Sequence, residues 1–368
     1  MNNNKYNSIK TNIYNKIKNK CHFKNDIYYI KIILILQFVL SKLYTINNLK
    51  NYNELYNYEL FDEKIKNYNH LTNNNLTNEE KINVYNNKKF AIIRRLGCPD
   101  CGFFSFYIVN LGCIFLYLSK GYIPIIDLKS FKNVYNNENT SLNNPWEIFF
   151  HQPFNYSLEE VKKYAKKIKY FECNSKYRPS EINIYYNKTI ISFWHNLANK
   201  YMPIKSSIKR EATNIMRQLF NNSKNILGVK IRGTDYLSVK PKNHSKQPKV
   251  EQVIEDVKLM DKKYNYDYIF FATEDEKIKQ KFVPQFEMKV KLLNPKVIVN
   301  YEYKNKYKIN LNEKVIGNLD YTKNYILNII ILSKCLDIIT SRCSGAAGIF
   351  ILSEGFRNIK IYNLGLYS

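Results

Sequence analysis

Three polar clusters break otherwise apolar runs in the second half of the chain: Arg232-Gly233-Thr234-Asp235, Thr273-Glu274-Asp275 and Thr340-Ser341-Arg342-Cys343-Ser344-Gly345-Ala346. Arginine offers a fixed fork of donors that matches a phosphate bidentately. Small residues at a helix start let backbone N–H groups approach an anion, and the helix dipole favours negative charge there. An acid beside them suits a ribose hydroxyl or a donor on a base edge. The three clusters together describe a pocket for a nucleoside diphosphate. Each also has a plainer reading: a surface Arg232–Asp235 pair, an N-cap built from Thr-Glu-Asp, and close helix packing at Ser-Gly-Ala-Ala. Their shared position at strand ends weighs towards a site. Lys230 stands two residues before Arg232, and His244 follows in the lysine-rich loop "KPKNHSKQP" as a candidate contact to phosphate or acceptor. His151 and His195 stand singly, and His195 reads as a helix-core or surface residue.

The elements that must carry these clusters follow from hydrophobic pattern. "ILGVKI", "YDYIFFAT" and "CLDIITS" read as strands, each leading into one cluster. Apolar Val250, Val253, Ile254 and Val257 recur at helical spacing after Pro248. A helix around 325–334 precedes the third strand, another opens at "SGAAGIFIL", and "NIKIYNLG" closes the chain with a strand. This alternation describes a doubly wound α/β domain, in which ligands bind beyond the carboxyl ends of the strands. Upstream, "KKFAIIRRL" reads as a strand over 90–94, followed by a glycine-opened helix and a second strand over 122–127, a βαβ unit. "NPWEIFFHQPFNYSLEEV" is rich in aromatic residues and is expected to line a cleft, with Ser157 and Glu160 forming a capping box. Residues 188–220 read as helical and could bridge two lobes. No G-x-x-x-x-G-K-[ST], no G-x-G-x-x-G after a strand, no G-x-S-x-G and no H-E-x-x-H is present, which argues against the corresponding nucleotide hydrolases, dehydrogenases, esterases and metalloproteases.

Composition bounds the rest. With 368 residues the chain can hold two domains with their own cores. The 57 basic against 31 acidic residues give a net charge of +26, which by itself would suit nucleic acid, an anionic membrane or a phosphate-bearing substrate. The lysines are spread along the whole length rather than gathered on one face, and the chain is saturated with Asn, Lys, Ile and Tyr, so the charge reads as compositional and no specific nucleic acid is expected. Residues 1–87 form an Asn- and Lys-rich, low-complexity extension with one apolar run, 27–46. Lys31, Gln37 and Lys42 interrupt that run, so an amphipathic helix on the body or on a membrane surface is preferred to a span. Cytoplasmic or peripherally membrane-associated placement follows. Seven cysteines, an odd number in a long chain, are not expected to form a disulfide framework. Cys98-Pro99-Asp100-Cys101 lacks a second pair for zinc and a thioredoxin-like context for redox work, and reads as a loop containing two thiols.

"GVKIRGTDY", "YIFFATEDE" and "ITSRCSGAAGIFI", in that order and spacing, resemble the three C-terminal motifs of the GDP-fucose-dependent fucosyltransferase superfamily, which includes α1,6-, α1,2-, protein O- and nodulation fucosyltransferases. The resemblance covers about 88–368 and is most specific in the C-terminal half. Where the family pattern opens with His-x-Arg, Arg232 matches the arginine, Lys230 replaces the histidine, and Gly233 stands where many relatives carry a second arginine. It implies a GT-B architecture of two Rossmann-like lobes, an acceptor-side lobe over 88–222 and a nucleotide-sugar lobe over 223–368. It further implies an inverting transfer, most simply of fucose, from a GDP-sugar to a glycan acceptor, with the GDP-sugar as substrate and no metal or cofactor required. Arg232 would be the catalytic contact to the β-phosphate, with Lys230, Gly233, Thr234, Asp235, His244 and Thr273 lining the donor site. Ser341, Arg342, Cys343, Ser344 and Gly345 would hold the pyrophosphate, and Glu274 or Asp275 would lie near the nucleoside. The loop and helix start Gly97, Gly102, Phe103, Phe104 and Ser105 would face the cleft from the first lobe. Asp100, Asp127 and Glu147 are alternative bases for the acceptor hydroxyl. A basic nucleic-acid-binding protein, or an inactive nucleotide-sugar-binding protein, are the alternatives.

Overall fold

Helix and strand alternate in the N-terminal half as α1 (Asn78–Asn86), β1 (Phe90–Arg94), α2 (Phe103–Leu118), β2 (Ile123–Ile126), α3 (Pro145–Phe149), α4 (Leu158–Tyr164), β3 (Ile168–Glu172), α5 (Glu181–Tyr186), α6 (Lys188–Tyr201) and α7 (Ser206–Phe220). The structure is a computed structural model that describes residues 61–63, 76–136, 143–293 apart from 234 and 239, 301–305, 308–311 and 318–368. The apolar run 27–46 lies outside the described residues. Strand β1 is the middle of a three-stranded parallel sheet, with β2 on one side and β3 on the other. Its sequence "FAIIR" is buried almost throughout, as a parallel strand covered on both faces requires. Helix α2 is apolar on every side and buries all of its residues except Ser105. A helix hydrophobic all round has to sit inside the molecule, and α2 packs between β2, α6 and a helix from the other half. Gly112 marks its closest approach: a Cβ there would fall 1.7 Å from the Tyr177 carbonyl oxygen.

The C-terminal half continues with β4 (Ile226–Ile231), α8 (Asp235–Ser238), α9 (Val250–Tyr264), β5 (Tyr268–Thr273), α10 (Glu276–Phe282), β6 (Val290–Lys291), β7 (Tyr301–Asn305), β8 (Lys308–Leu311), α11 (Leu319–Ser333), β9 (Asp337–Ser341), α12 (Ser344–Leu352) and β10 (Ile359–Tyr362). Five of these strands make a parallel sheet in the order β10-β9-β4-β5-β6. Strands β7 and β8 form a separate antiparallel pair. One apolar cluster fills the face of the sheet under α9 and α10. The other face, under α11 and α12, shares a single continuous core with the N-terminal half, because α12 packs directly on α2, α5 and α6.

Three expectations are corrected. The aromatic run at 145–156 does not line a cleft: Trp146, Phe149, Phe150, Phe154 and Tyr156 are buried, with Trp146 stacked on Phe150 at 4.8 Å and on Phe103 at 5.9 Å. Rings this large gain more from full burial than from a solvated wall. The cysteines are not all free: Cys98 is bonded to Cys101, and Cys113 to Cys173 across 60 residues. The crossover that lays β3 beside β1 returns the chain to α2, a proximity that spacing in the sequence does not show. The capping box at Ser157 is half made, since Ser157 accepts from the Glu160 amide while the Glu160 carboxylate turns to Lys81 and Tyr85 of α1. Among the described residues, no helix is long and apolar enough to cross a membrane.

Candidate active site

Strand β4 lies between β5 and β9, and its register pairs Ile231 with Thr273 and Lys230 with Thr340. All three strands are parallel, so Arg232, Glu274 and Ser341-Arg342 leave the sheet at one level. The three clusters therefore meet at the carboxyl edge of the central strands, where open α/β sheets bind ligands. The tips of β4 and β5 are joined by charge. Arg232 Nη1 lies 3.0 Å from Glu274 Oε1, and Lys230 Nζ lies 4.0 Å from Glu274 Oε2. The Gly233 amide donates to the same Oε1 at 3.3 Å. Lys230 is only 4% exposed and Glu274 13%. Burial pushes the Glu274 carboxyl up, but Arg232 and Lys230 outweigh it and hold the group below its ordinary range. Two cations thus face the Glu274 carboxylate at the strand tips.

Two glycines let the elements of the site approach closely. A Cβ on Gly233 would come 2.4 Å from Asp275 Cβ, so only glycine lets these two strand ends approach. A Cβ on Gly345, in the first turn of α12, would meet Tyr325 Oη at 2.7 Å and Lys230 Cε at 3.1 Å. The first turn of α12 therefore lies against Lys230, with the positive end of the helix directed at the strand tips. Tyr325, on α11, was not foreseen, because nothing in "YTKNYILN" separates it from a core tyrosine. Burial pushes its phenol well above the ordinary range, so the hydroxyl stays protonated and can donate. Tyr236 was missed too; its ring lies 5.1 Å from the Arg232 guanidinium carbon and 5.4 Å from the His244 ring.

Other named residues have local duties. Asp275 caps α10 by accepting from the Lys277 and Ile278 amides, and its own amide donates to Thr273 Oγ1. Ser341 is buried and donates to Gln247, whose Nε2 donates to the Ser245 carbonyl at 3.0 Å and to the Arg342 carbonyl at 3.4 Å. Arg342 turns away to Asn363 Oδ1 at 2.9 Å and towards Glu181 at 4.0 Å. Cys343 caps α12 through its sulfur, Ser344 opens the helix, and the Cys343 carbonyl accepts from Tyr185. His244 is exposed, and its Nδ1 contacts the Lys242 carbonyl. Thr234 lies outside the described residues, as does the side chain of Asp235.

The N-terminal loop reaches this region through Phe104, whose ring packs 5.6 Å from Tyr325 and against Gly348 of α12. Phe103 points into the aromatic core, Ser105 accepts from Arg95, and Gly97 and Gly102 are exposed on the loop. Among the three candidate bases, Glu147 Oε1 already accepts from Gln152 and the Leu158 amide. Asp127 is fully buried and accepts from the Lys129 and Ser130 amides. Asp100 is exposed within the disulfide-closed loop.

No family model and no curated protein matches the chain. Its structural neighbours include fucosyltransferases. The α-1,6-fucosyltransferase NodZ soaked with GDP-fucose is 13% identical, over 72% of this chain and 93% of that one, with a TM-score of 0.43. NodZ from Bradyrhizobium is 13% identical, over 72% and 94%, with a TM-score of 0.44. POFUT1 in complex with GDP-fucose is 9% identical, over 76% and 99%, with a TM-score of 0.42. At these values the functional reading rests on this chain's own residues.

Proposed function

We propose that the chain is an inverting, metal-independent glycosyltransferase of GT-B type that moves fucose from GDP-fucose to a glycan acceptor. One observation carries the reading: Arg232 and Lys230 both face the carboxylate of Glu274 at the tips of adjacent parallel strands, beside the first turn of α12. In the reaction, the bond from the sugar's anomeric carbon to the β-phosphate oxygen breaks, and its electron pair stays on the diphosphate. The acceptor oxygen bonds that carbon from the opposite face and gives up its proton. Charge on the departing diphosphate grows towards the transition state, so fixed cations and backbone donors stabilise that state more than the bound substrate. Arg232 would exchange part of its contact with Glu274 for the β-phosphate. Tyr325 would add a neutral O–H donor. Asp100 is the candidate base whose carboxylate is exposed. The two disulfides favour an oxidising compartment over the cytoplasmic alternative of the cytoplasmic or membrane-associated placement read from the sequence.

Thermal-shift measurements with GDP, UDP, ADP and CMP test the donor class. GDP alone should stabilise the wild type, and Arg232→Ala should lose that shift. In turnover of GDP-fucose the same substitution should cost about 3 kcal/mol, the scale of a lost oxyanion donor. Failure of every nucleotide to stabilise the wild type overturns the reading.

A further inference from the structure

A second group of cations sits where the two halves touch, around Glu181. Arg95, just after β1, is 8% exposed. Its Nη1 donates to Ser105 Oγ at 2.8 Å, and its guanidinium lies 5.5 Å from the Phe106 ring centre. Among the described residues it pairs with no carboxylate. Burial, with Arg178 close by, lowers its pKa to about 10. The chain before Arg178 is pinned to α2, because the Tyr177 carbonyl fills the space left by Gly112. Arg178 Nη1 reaches Glu181 Oε1 at 3.4 Å, and Arg342 Nη2 approaches the other oxygen of Glu181 at 4.0 Å. Arg342 Nε is buried with no hydrogen-bond partner. Arg178 and Arg342 therefore share one carboxylate, while Arg95, close to Arg178, faces none among the described residues. A buried charge without a partner is expensive, and an orphaned buried N–H adds to the cost. An anion arriving from outside would offset both.

We propose that Arg95, Arg178 and Arg342 form an anion subsite that takes a sulfate, carboxylate or phosphate group carried by the acceptor glycan. The proposal rests on the glycosyltransferase reading for its ligand being an acceptor. Its position supports that role, since Arg342 immediately precedes the Cys343–Gly345 turn and Ser105 lies one residue from Phe104, the loop residue packed on Tyr325.

Isothermal titration of the full chain, with and without GDP, should use N-acetyllactosamine, its 6-sulfated and sialylated derivatives, and inorganic sulfate. At least one charged sugar should bind about tenfold or more tightly than the neutral one, the scale of one hydrogen bond to a charged group. Arg178→Gln should reduce that preference to about threefold or less, and Arg95→Gln should do the same if it folds, as Arg178→Gln on an exposed side chain is expected to. Equal binding of neutral and charged sugars overturns the proposal, as does a preference unchanged in Arg178→Gln. Inorganic sulfate binding as tightly as the charged sugars would mark a free-anion site and also overturns it. A loss of GDP affinity in Arg178→Gln would assign the cluster to the donor's phosphates instead. Absence of GDP binding by the wild type would sink the donor reading alone, since the GDP-free titrations still report on the subsite.

Discussion

Glu274 decides the charge state of the strand tips. The family resemblance implied Glu274 or Asp275 near the nucleoside, and the structure places Glu274 between Lys230 and Arg232. Removing one partner of a buried ionic group leaves uncompensated charge and typically costs about 3–5 kcal/mol. Glu274→Gln should sit at the lower end of that range, since Arg232 is partly solvated. Its urea midpoint should recover more with GDP than the wild type's does, because the diphosphate replaces the missing anion. The pH dependence follows in sign. A carboxyl held below its ordinary value near 4.5 stabilises the fold above that pH. That contribution is lost as the pH falls from about 4.5 through the lowered value, so the wild type should weaken there and Glu274→Gln should show a shallower acid limb. A steeper limb in the variant would contradict the assignment. At this scale the sequence named Arg232, Lys230 and Gly233 but gave no sign of Tyr325 or Gln247, whose roles depend on which helix packs over the strand ends.

At the scale of elements, local pattern was a good guide where strands are buried and a poor one at edges. Strands β1 and β4 begin and end where their apolar runs do. Strand β3 went unread because "IKYFE" is an edge strand with mostly exposed side chains, and lysines hide its β character. The β7–β8 pair went unread within a lysine- and asparagine-rich stretch. Helix packing gives a sharp test. Gly112→Ala would set a methyl against a backbone carbonyl that cannot move aside. It should cost about 3 kcal/mol in denaturant unfolding. Gly102→Ala, with nothing within 4 Å of the added Cβ, should cost under about 1 kcal/mol. Similar losses at both positions would refute the close approach of Tyr177 to α2.

For the whole molecule, the Cys113–Cys173 bridge closes a loop spanning 60 residues and ties α2 to the end of β3. Chain-entropy arguments put such a closure at about 4 kcal/mol. Thiol alkylation followed by mass spectrometry should find Cys98, Cys101, Cys113 and Cys173 protected until a reductant is added, with Cys335 and Cys343 thiols modified once the chain is unfolded. Cys113→Ala with Cys173→Ala should lower stability by about that 4 kcal/mol, and modification of all four bridge cysteines in the unfolded, unreduced chain would show that the bridges are absent.

By itself the sequence determined the α/β class, the boundaries of the buried strands and the three clusters at their ends. These follow from contacts between near neighbours: alternation of apolar residues, glycine at turns, small residues at a helix start. Tertiary structure alone decided which cluster members meet. Parallel register sets Arg232 level with Glu274, while packing of α12 on α2 places Gly345 and Tyr325 beside Lys230 and turns Arg342 away to Glu181. Side-chain direction and the pairing of distant cysteines depend on how far-separated segments stack, and no local spacing encodes that.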